Sequence, residues 1–301
     1  MTGHSHATPP RGRAFAVAVA LNVALAGTQA VFASRAGSLS LLADAAHNAA
    51  DVLGLVLAWG AARLALRPPT ERHTYGLRSA SILAALANAL LLLVGVGGVA
   101  WEAIQRLARP AAVEGSTVAI VAAVSVVVNA ASAALLAAGS RRDLNLRAAT
   151  MHLVADGAVS LGVAVVGVVL LFRPWWWLDP ATSLAISAAI VAAAWRLLRD
   201  TLDLALAGVP QGIDLRAVER YLASVPGVVE VHDLHIWPTS TSETALTAHL
   251  VMPQSRSSDA LLAEIDRDLH DRFRIEHATV QVEERGLDRC CPIPRGTAAR
   301  S

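Results

Sequence analysis

Residues 41–66 read LLADAAHNAADVLGLVLAWGAARLAL, and the reading of this stretch decides the architecture. A helix rises about 1.5 Å per residue, so roughly 20 mostly apolar residues cross the ~30 Å hydrocarbon core of a bilayer. The stretch is long and apolar enough to do so, yet its first half holds Asp44, His47 and Asp51. Each ionisable group at mid-membrane costs about 2.5–3.5 kcal/mol on insertion scales. A span that keeps three of them must use them. Along a helix His47 and Asp51 are i,i+4 neighbours on one face, and Asp44 lies one turn earlier on the same face as His47.

Outward from this stretch, further apolar blocks at residues 14–33, 79–100, 118–138, 146–171 and 178–198 bring the expected spans to six. Composition agrees, because 54% of the 301 residues are hydrophobic and only 16% are charged, where a soluble chain carries nearer ~25%. Mean hydropathy is +0.49. The Trp175-Trp176-Trp177 run between the fifth and sixth blocks reads as an interfacial anchor. Arginines in the short loops set the orientation. One side collects Arg11, Arg13, Arg67, Arg72, Arg141, Arg142, Arg196 and Arg199, and the other Arg35, Arg106, Arg109 and Arg173. That bias places both termini in the cytoplasm of a cell (inner) membrane protein, in agreement with the even span count.

Formal net charge is +1, which offers no field for nucleic acid, and no nucleic-acid partner is expected. All 25 basic residues are arginine, a bias that reads as genomic base composition. The two cysteines, Cys290 and Cys291, are adjacent. Nothing else could pair with them, which excludes a disulfide framework and fits a reducing compartment. The polar stretch Met1–Arg13, with His4 and His6, lacks the cleavage site expected after a signal-peptide core.

The fifth block repeats the pattern of the second, with His152 and Asp156 in MHLVAD, residues 151–156. Two helices that each turn a His-x-x-x-Asp face inward supply two imidazole nitrogens and two carboxylates. That set suits a tetrahedral Zn²⁺ site, and the two carboxylates neutralise the ion in a low-dielectric interior. Small neighbours such as Ala43, Ala46, Ala50, Ala155 and Gly157 let the backbones approach. One copy would read equally well as a hydrogen-bonded clamp between helices; two copies in two spans favour metal. The enzymatic rival, a metalloprotease, needs His-Glu-x-x-His on a helix, and no such run occurs, so no enzyme is expected. Asn22, Thr28, Gln29, Asn88 and Asn129 could line a hydrated path, but each alone reads first as an ordinary helix-to-helix hydrogen bond, and no further role is assigned.

After Pro210 the pattern changes to an amphipathic helix at 212–225, strands at 228–237 and 244–251, a helix at 259–273 capped by Ser257, Ser258 or Asp259, and a strand at 277–282. This is a small α+β domain. Alternate residues of a strand share a face and neighbouring strands lie ~4.8 Å apart, so His232, His249 and Glu283 could converge on a second metal site. His235, His277, Cys290 and Cys291 are further candidates, against the plain reading of histidines at a sheet edge. His270 reads as solvated.

At this point the residues resemble the cation diffusion facilitator family, in detail its zinc-transporting members. The resemblance rests on SLLADAAHNAAD at 40–51, RHTYG at 72–76, WEAIQRL at 101–107, His152-x-x-x-Asp156, VHDLHIW at 231–237 and IEHATVQVE at 275–283, in order along nearly the whole chain. It implies six transmembrane helices, a cytoplasmic ferredoxin-like domain that also binds regulatory metal, a homodimer, and metal export in exchange for protons. It places the transport site on His47, Asp51, His152 and Asp156. A two-His, two-Asp site goes with Zn²⁺ or Cd²⁺ in that family. Two features depart from its pattern. Some members hold a second metal in the loop before the third span, where only His73 remains here, beside Thr70, Glu71 and Leu77. Some lock the dimer base with a Lys–Asp pair, for which Arg78 and Asp203 are the nearest charged candidates.

The expected organisation is a cytoplasmic tail at 1–13, a six-helix transport domain at 14–208, a ferredoxin-like metal-binding and dimerisation domain at 209–287, and a tail at 288–301. The expected function is proton-coupled Zn²⁺ export, with Asp44 as an accessory acid. The alternatives are Co²⁺, Ni²⁺ or Mn²⁺ export by the same route, and a membrane metal sensor that transports nothing.

Overall fold

Six long helices form where the apolar blocks lie: α1 (Gly12–Ala36), α2 (Leu39–Ala65), α3 (Ala80–Ala108), α4 (Gly115–Ser140), α5 (Leu144–Phe172) and α6 (Leu178–Ala205). The structure, a computed structural model, describes the backbone of residues 12–140, 144–253 and 259–284, and the side chains of 19–137, 149–253 and 259–284. His4, His6, Arg11, Arg141, Arg142, Ser257, Ser258, Cys290 and Cys291 lie outside the described residues, as does the tail expected at 288–301. Among the described residues, five helices (α2 to α6) are long and apolar enough to cross a membrane.

Helix ends follow hydrogen bonding, whereas the expected span ends followed hydropathy. The third span was expected to stop at residue 100, but α3 runs on to Ala108, because nothing in WEAIQRLA breaks a helix before Pro110. Likewise α6 continues past residue 198 to Ala205. It stops where Ala207 takes a left-handed φ of 58° and the Gly208 N–H reaches back to the Asp203 carbonyl at 2.8 Å.

Small residues set the tightest contact, between α4 and α5. A Cβ on Gly167 would stand 2.4 Å from the Ala119 nitrogen, so a larger residue would force the helices apart. Leu41, Val96, Val118, Val163 and Ile190, from five of the helices, fill the core between them. The outer surface is inverted relative to a soluble protein, with Val56, Trp59, Val94, Trp101, Ile120, Val127 and Phe172 exposed. That is what a hydrocarbon solvent permits.

One buried carboxylate ties two helix starts together. Asp179, in the first turn of α6, is fully buried. It accepts bonds from Ser38 Oγ (2.6 Å), the Leu39 N–H (2.7 Å), the Ser40 N–H (3.3 Å) and Ser40 Oγ (2.6 Å). It therefore caps α2, the helix that carries His47 and Asp51, from a neighbouring helix.

The chain divides into two compact units, residues up to 59 with 87–198, and residues 60–86 with those from 199 onward. In the second, the C-terminal part folds as α7 (Leu215–Ala223), β1 (Glu230–Pro238), β2 (Thr244–Val251), α8 (Asp259–Phe273) and β3 (His277–Glu283). The helix expected from residue 212 begins at Leu215, because the Asp214 side chain caps it by accepting from the Arg216 N–H. The strand expected from 228 begins at Glu230, after the turn at Gly227, whose φ is 90°. The sheet order is β1-β2-β3, with β1 antiparallel and β3 parallel to the central β2. Both helices pack on the sheet through Val218, Leu222, Ile265 and Leu269, against Leu246, Ala248 and Leu250. Within the same unit, the loop before α3 joins this domain. Arg78 donates to Glu243 Oε2 (2.5 Å) and to His277 Nε2 (3.0 Å), and Ser79 Oγ donates to the Thr239 carbonyl (3.2 Å).

Candidate metal centres

In the bundle, His47 and Asp51 on α2 meet His152 and Asp156 on α5, and one ligand atom from each lies within 4.8 Å of the others. The pairing crosses between helices. His47 Nε2 is 3.2 Å from Asp156 Oδ1, and His152 Nε2 is 3.1 Å from Asp51 Oδ2. The same-helix distances are longer, at 3.7 Å for His47–Asp51 and 3.6 Å for His152–Asp156. The two rings stand edge to face, 5.9 Å between centroids. A tetrahedral ion with bonds of ~2.0–2.1 Å separates its ligand atoms by ~3.3–3.4 Å. The four imidazole–carboxylate distances bracket that value, so the donor set fits a tetrahedral dication with small side-chain adjustments. Protonated, the same atoms make two hydrogen bonds between helices, so the clamp reading and the metal reading use one set of groups.

A cavity of about 300 Å³ reaches this cluster, lined by Asn22, Asp51, Leu55, Asn88, His152 and Asp156 among others. Its residues come from the halves where α1, α3 and α5 begin, from the middle of α2 and from the end of α4. Gly54 is needed beside it, since a Cβ there would stand 3.0 Å from the Asn88 amide nitrogen.

Behind the cluster, toward the start of α2, lies a fully buried polar layer. Gln29 Nε2 donates to Asp44 Oδ2 (2.5 Å) and to Ser125 Oγ (2.9 Å), while Gln29 Oε1 accepts from Asn48 Nδ2 (2.8 Å). Ser160 Oγ also donates to Asp44 Oδ2, at 2.9 Å. Sequence reasoning gave Gln29 a helix-to-helix hydrogen bond, which it makes, and passed over Ser125, Ser160 and Asp179. The available signal was the rule that a buried carboxylate draws donors from every helix around it. Which helices those were depended on packing.

The C-terminal domain holds a second cluster, His232, His249 and Glu283. Strand register builds it. His232 pairs directly with His249, and Glu283 pairs with Val251, two residues along the central strand. His249 Nδ1 is 2.9 Å from Glu283 Oε1, and His232 Nε2 is 3.4 Å from Glu283 Oε2. Asp233 was not anticipated. A bulge between His232 and His235 puts it at a positive φ of 51°, and its carboxylate stands 3.7 Å from His249 and 2.8 Å from His235. His235 and His277 do not join the three-residue cluster: His235 turns to Asp233, and His277 to Arg78 and Tyr75. Arg78 meets Glu243 as its acidic partner. Among the described residues, His73 belongs to no metal-competent group; its N–H closes a turn on Thr70.

Two known domains match the chain in order: the cation efflux transmembrane domain over residues 15–204, and the cation efflux protein cytoplasmic domain over residues 210–285. Zinc transporter ZitB of Escherichia coli is 36% identical over 249 residues, 82% of this chain and 79% of that protein. Metal cation efflux system protein CzcD of Cupriavidus metallidurans is 34% identical over 93% of this chain and 90% of that protein. The cadmium, cobalt and zinc/H(+)-K(+) antiporter of Bacillus subtilis is 27% identical over 93% of this chain and 92% of that protein.

Proposed function

The chain belongs to the cation efflux family and is a multi-pass membrane protein, and on that premise we propose that it exports Zn²⁺, and Cd²⁺ by the same route, from the cytoplasm in exchange for protons. The observation that carries this reading is the convergence of His47, Asp51, His152 and Asp156, from two helices, within 4.8 Å. Six spans with both termini in the cytoplasm of the inner membrane complete the arrangement, with a homodimer joined through the C-terminal domain. In this orientation the cavity beside Asp51 and His152 faces the cytoplasm.

The chemistry follows from competition. Facing the cytoplasm, neutral imidazoles and ionised carboxylates take the dication, and two carboxylates cancel its charge away from water. Facing outward into a more acidic medium, protons occupy the same nitrogens and carboxylates as two His–Asp hydrogen bonds, and the ion leaves. Imidazole suits the exchange because its ordinary pKa of ~6.5 lies near operating pH, and a ligand must lose its proton to bind metal. The C-terminal domain has the element order, helix–strand–strand–helix–strand, of a ferredoxin-like β-α-β-β-α-β unit without its first strand. There His232, His249 and Glu283 take a regulatory Zn²⁺. Cobalt export is the second reading, favoured by the Bacillus subtilis relative's name.

Metal flux into proteoliposomes loaded at opposing pH tests the proposal. Flux of Zn²⁺ should follow the proton gradient and fall to background in Asp51→Ala. Unchanged flux in that variant defeats the assigned site. Absence of flux in the native protein, with metal still bound, leaves the sensor reading in its place.

A further inference from the structure

Within one turn of α2, three buried polar atoms have no hydrogen-bond partner among the described residues: Asp44 Oδ1, His47 Nδ1 and Asn48 Oδ1. A buried donor or acceptor left unpaired is costly, so a cluster of three marks a place where a bond forms in another state. The Asp44 side chain is fully buried and held by one oxygen only, since Gln29 and Ser160 both donate to Oδ2. Its free oxygen is the orphan. His47 presents Nε2 to Asp156 and Asp51, which leaves Nδ1 as its orphan.

A neutral imidazole carries its proton on one nitrogen and a lone pair on the other. For Nε2 to ligate a metal, Nδ1 must hold the proton, and that N–H needs an acceptor. Asp44 stands three residues before His47, on the same helical face, whereas Asn48, the next residue along, points about 100° away around the helix. We propose that Asp44 is the positioning residue of the transport site. Its free Oδ1 accepts the His47 Nδ1–H when Nε2 takes metal, fixing the tautomer and aim of that ligand. The contact closes by rotation of the two side chains, while Gln29 and Ser160 keep Oδ2 in place. A carboxylate behind a metal-bound histidine is a general arrangement, and losing such a partner costs ~10–100-fold in affinity. The inference rests on the transport-site reading and adds a role for the remaining carboxylate of α2 and α5.

The discriminating variant is Asp44→Asn. Its amide oxygen still accepts from Gln29 and Ser160, so the buried network and the fold persist. Its NH₂ then faces His47 Nδ1 and favours the tautomer with the proton on Nε2, which cannot ligate. Zn²⁺ affinity of the purified full-length protein, measured by calorimetric titration, should fall ~10–100-fold in Asp44→Asn, with elution volume and helical circular dichroism unchanged. Asn48→Ala should keep native affinity. In a His47→Asp background, where the ligand has no second nitrogen, Asp44→Asn should cost no further affinity. Native affinity in Asp44→Asn overturns the proposal, as does an equal loss in both backgrounds, which would mark a purely structural role. Loss in Asn48→Ala with none in Asp44→Asn assigns the acceptor to Asn48 instead. An undiminished number of bound Zn²⁺ in Asp51→Ala, with the C-terminal cluster intact, defeats the site reading itself, a separate failure.

Discussion

The chain brings imidazoles and carboxylates together twice, by different means. In the bundle, one period does the work: an i,i+4 pair on α2 faces an i,i+4 pair on α5, and the close bonds run between helices. In the C-terminal domain, register does it: neighbouring strands present His232, His249 and Glu283 side by side. The charge differs as well. Two carboxylates in the bundle cancel a dication, whereas Glu283 alone leaves one positive charge, with Asp233 at the margin. A neutral complex suits passage through a low-dielectric interior. A charged one is tolerated only where water and nearby acids screen it. The contrast teaches that the same residue types build clusters of different net charge, set by the count of carboxylates in each.

The largest test of this contrast removes one carboxylate from each cluster. Asp156→Ala should abolish proton-driven Zn²⁺ flux, while Glu283→Ala should keep flux and lose only the metal bound by the C-terminal domain, read as one fewer Zn²⁺ in a titration. Flux abolished in both, with the proteins folded, would break the division of labour. A smaller effect concerns what aims the helical site. Asp179→Ala strands the Ser38, Leu39 and Ser40 donors, so the bundle should lose about 2–4 kcal/mol, read as a lower denaturation midpoint in detergent. The C-terminal cluster should bind metal as before. The smallest effect lies in the C-terminal domain alone. Burial, followed by a hydrogen bond to Asp268, pushes the Tyr221 phenol up to about 12. The folded state therefore favours neutral tyrosine. That contribution is complete below the ordinary value of ~10 and is lost as pH rises from ~10 toward 12. Tyr221→Phe should flatten the loss of stability between about pH 10 and 12, and an unchanged slope would assign the alkaline loss to other groups.

Local pattern carried most of the architecture. Hydropathy marked six blocks because a bilayer demands continuous apolar length, and the convergence of His47, Asp51, His152 and Asp156 was legible because a helix turns every fourth residue to the same face. Strand alternation likewise placed His232, His249 and Glu283 on one face. Packing decided the rest. No period indicates that His47 bonds Asp156 more closely than Asp51, that Gln29 on α1 holds Asp44, or that Asp179 on α6 caps α2, since each partner lies on another helix. The bulge that turns Asp233 toward His249 was also invisible, because alternation assumes an unbroken ladder. The sequence by itself determined which groups would be buried or aligned, through periodicity and solvent preference. Only the tertiary structure decided which of them meet, because that depends on the approach of segments whose separation in the chain carries no directional information.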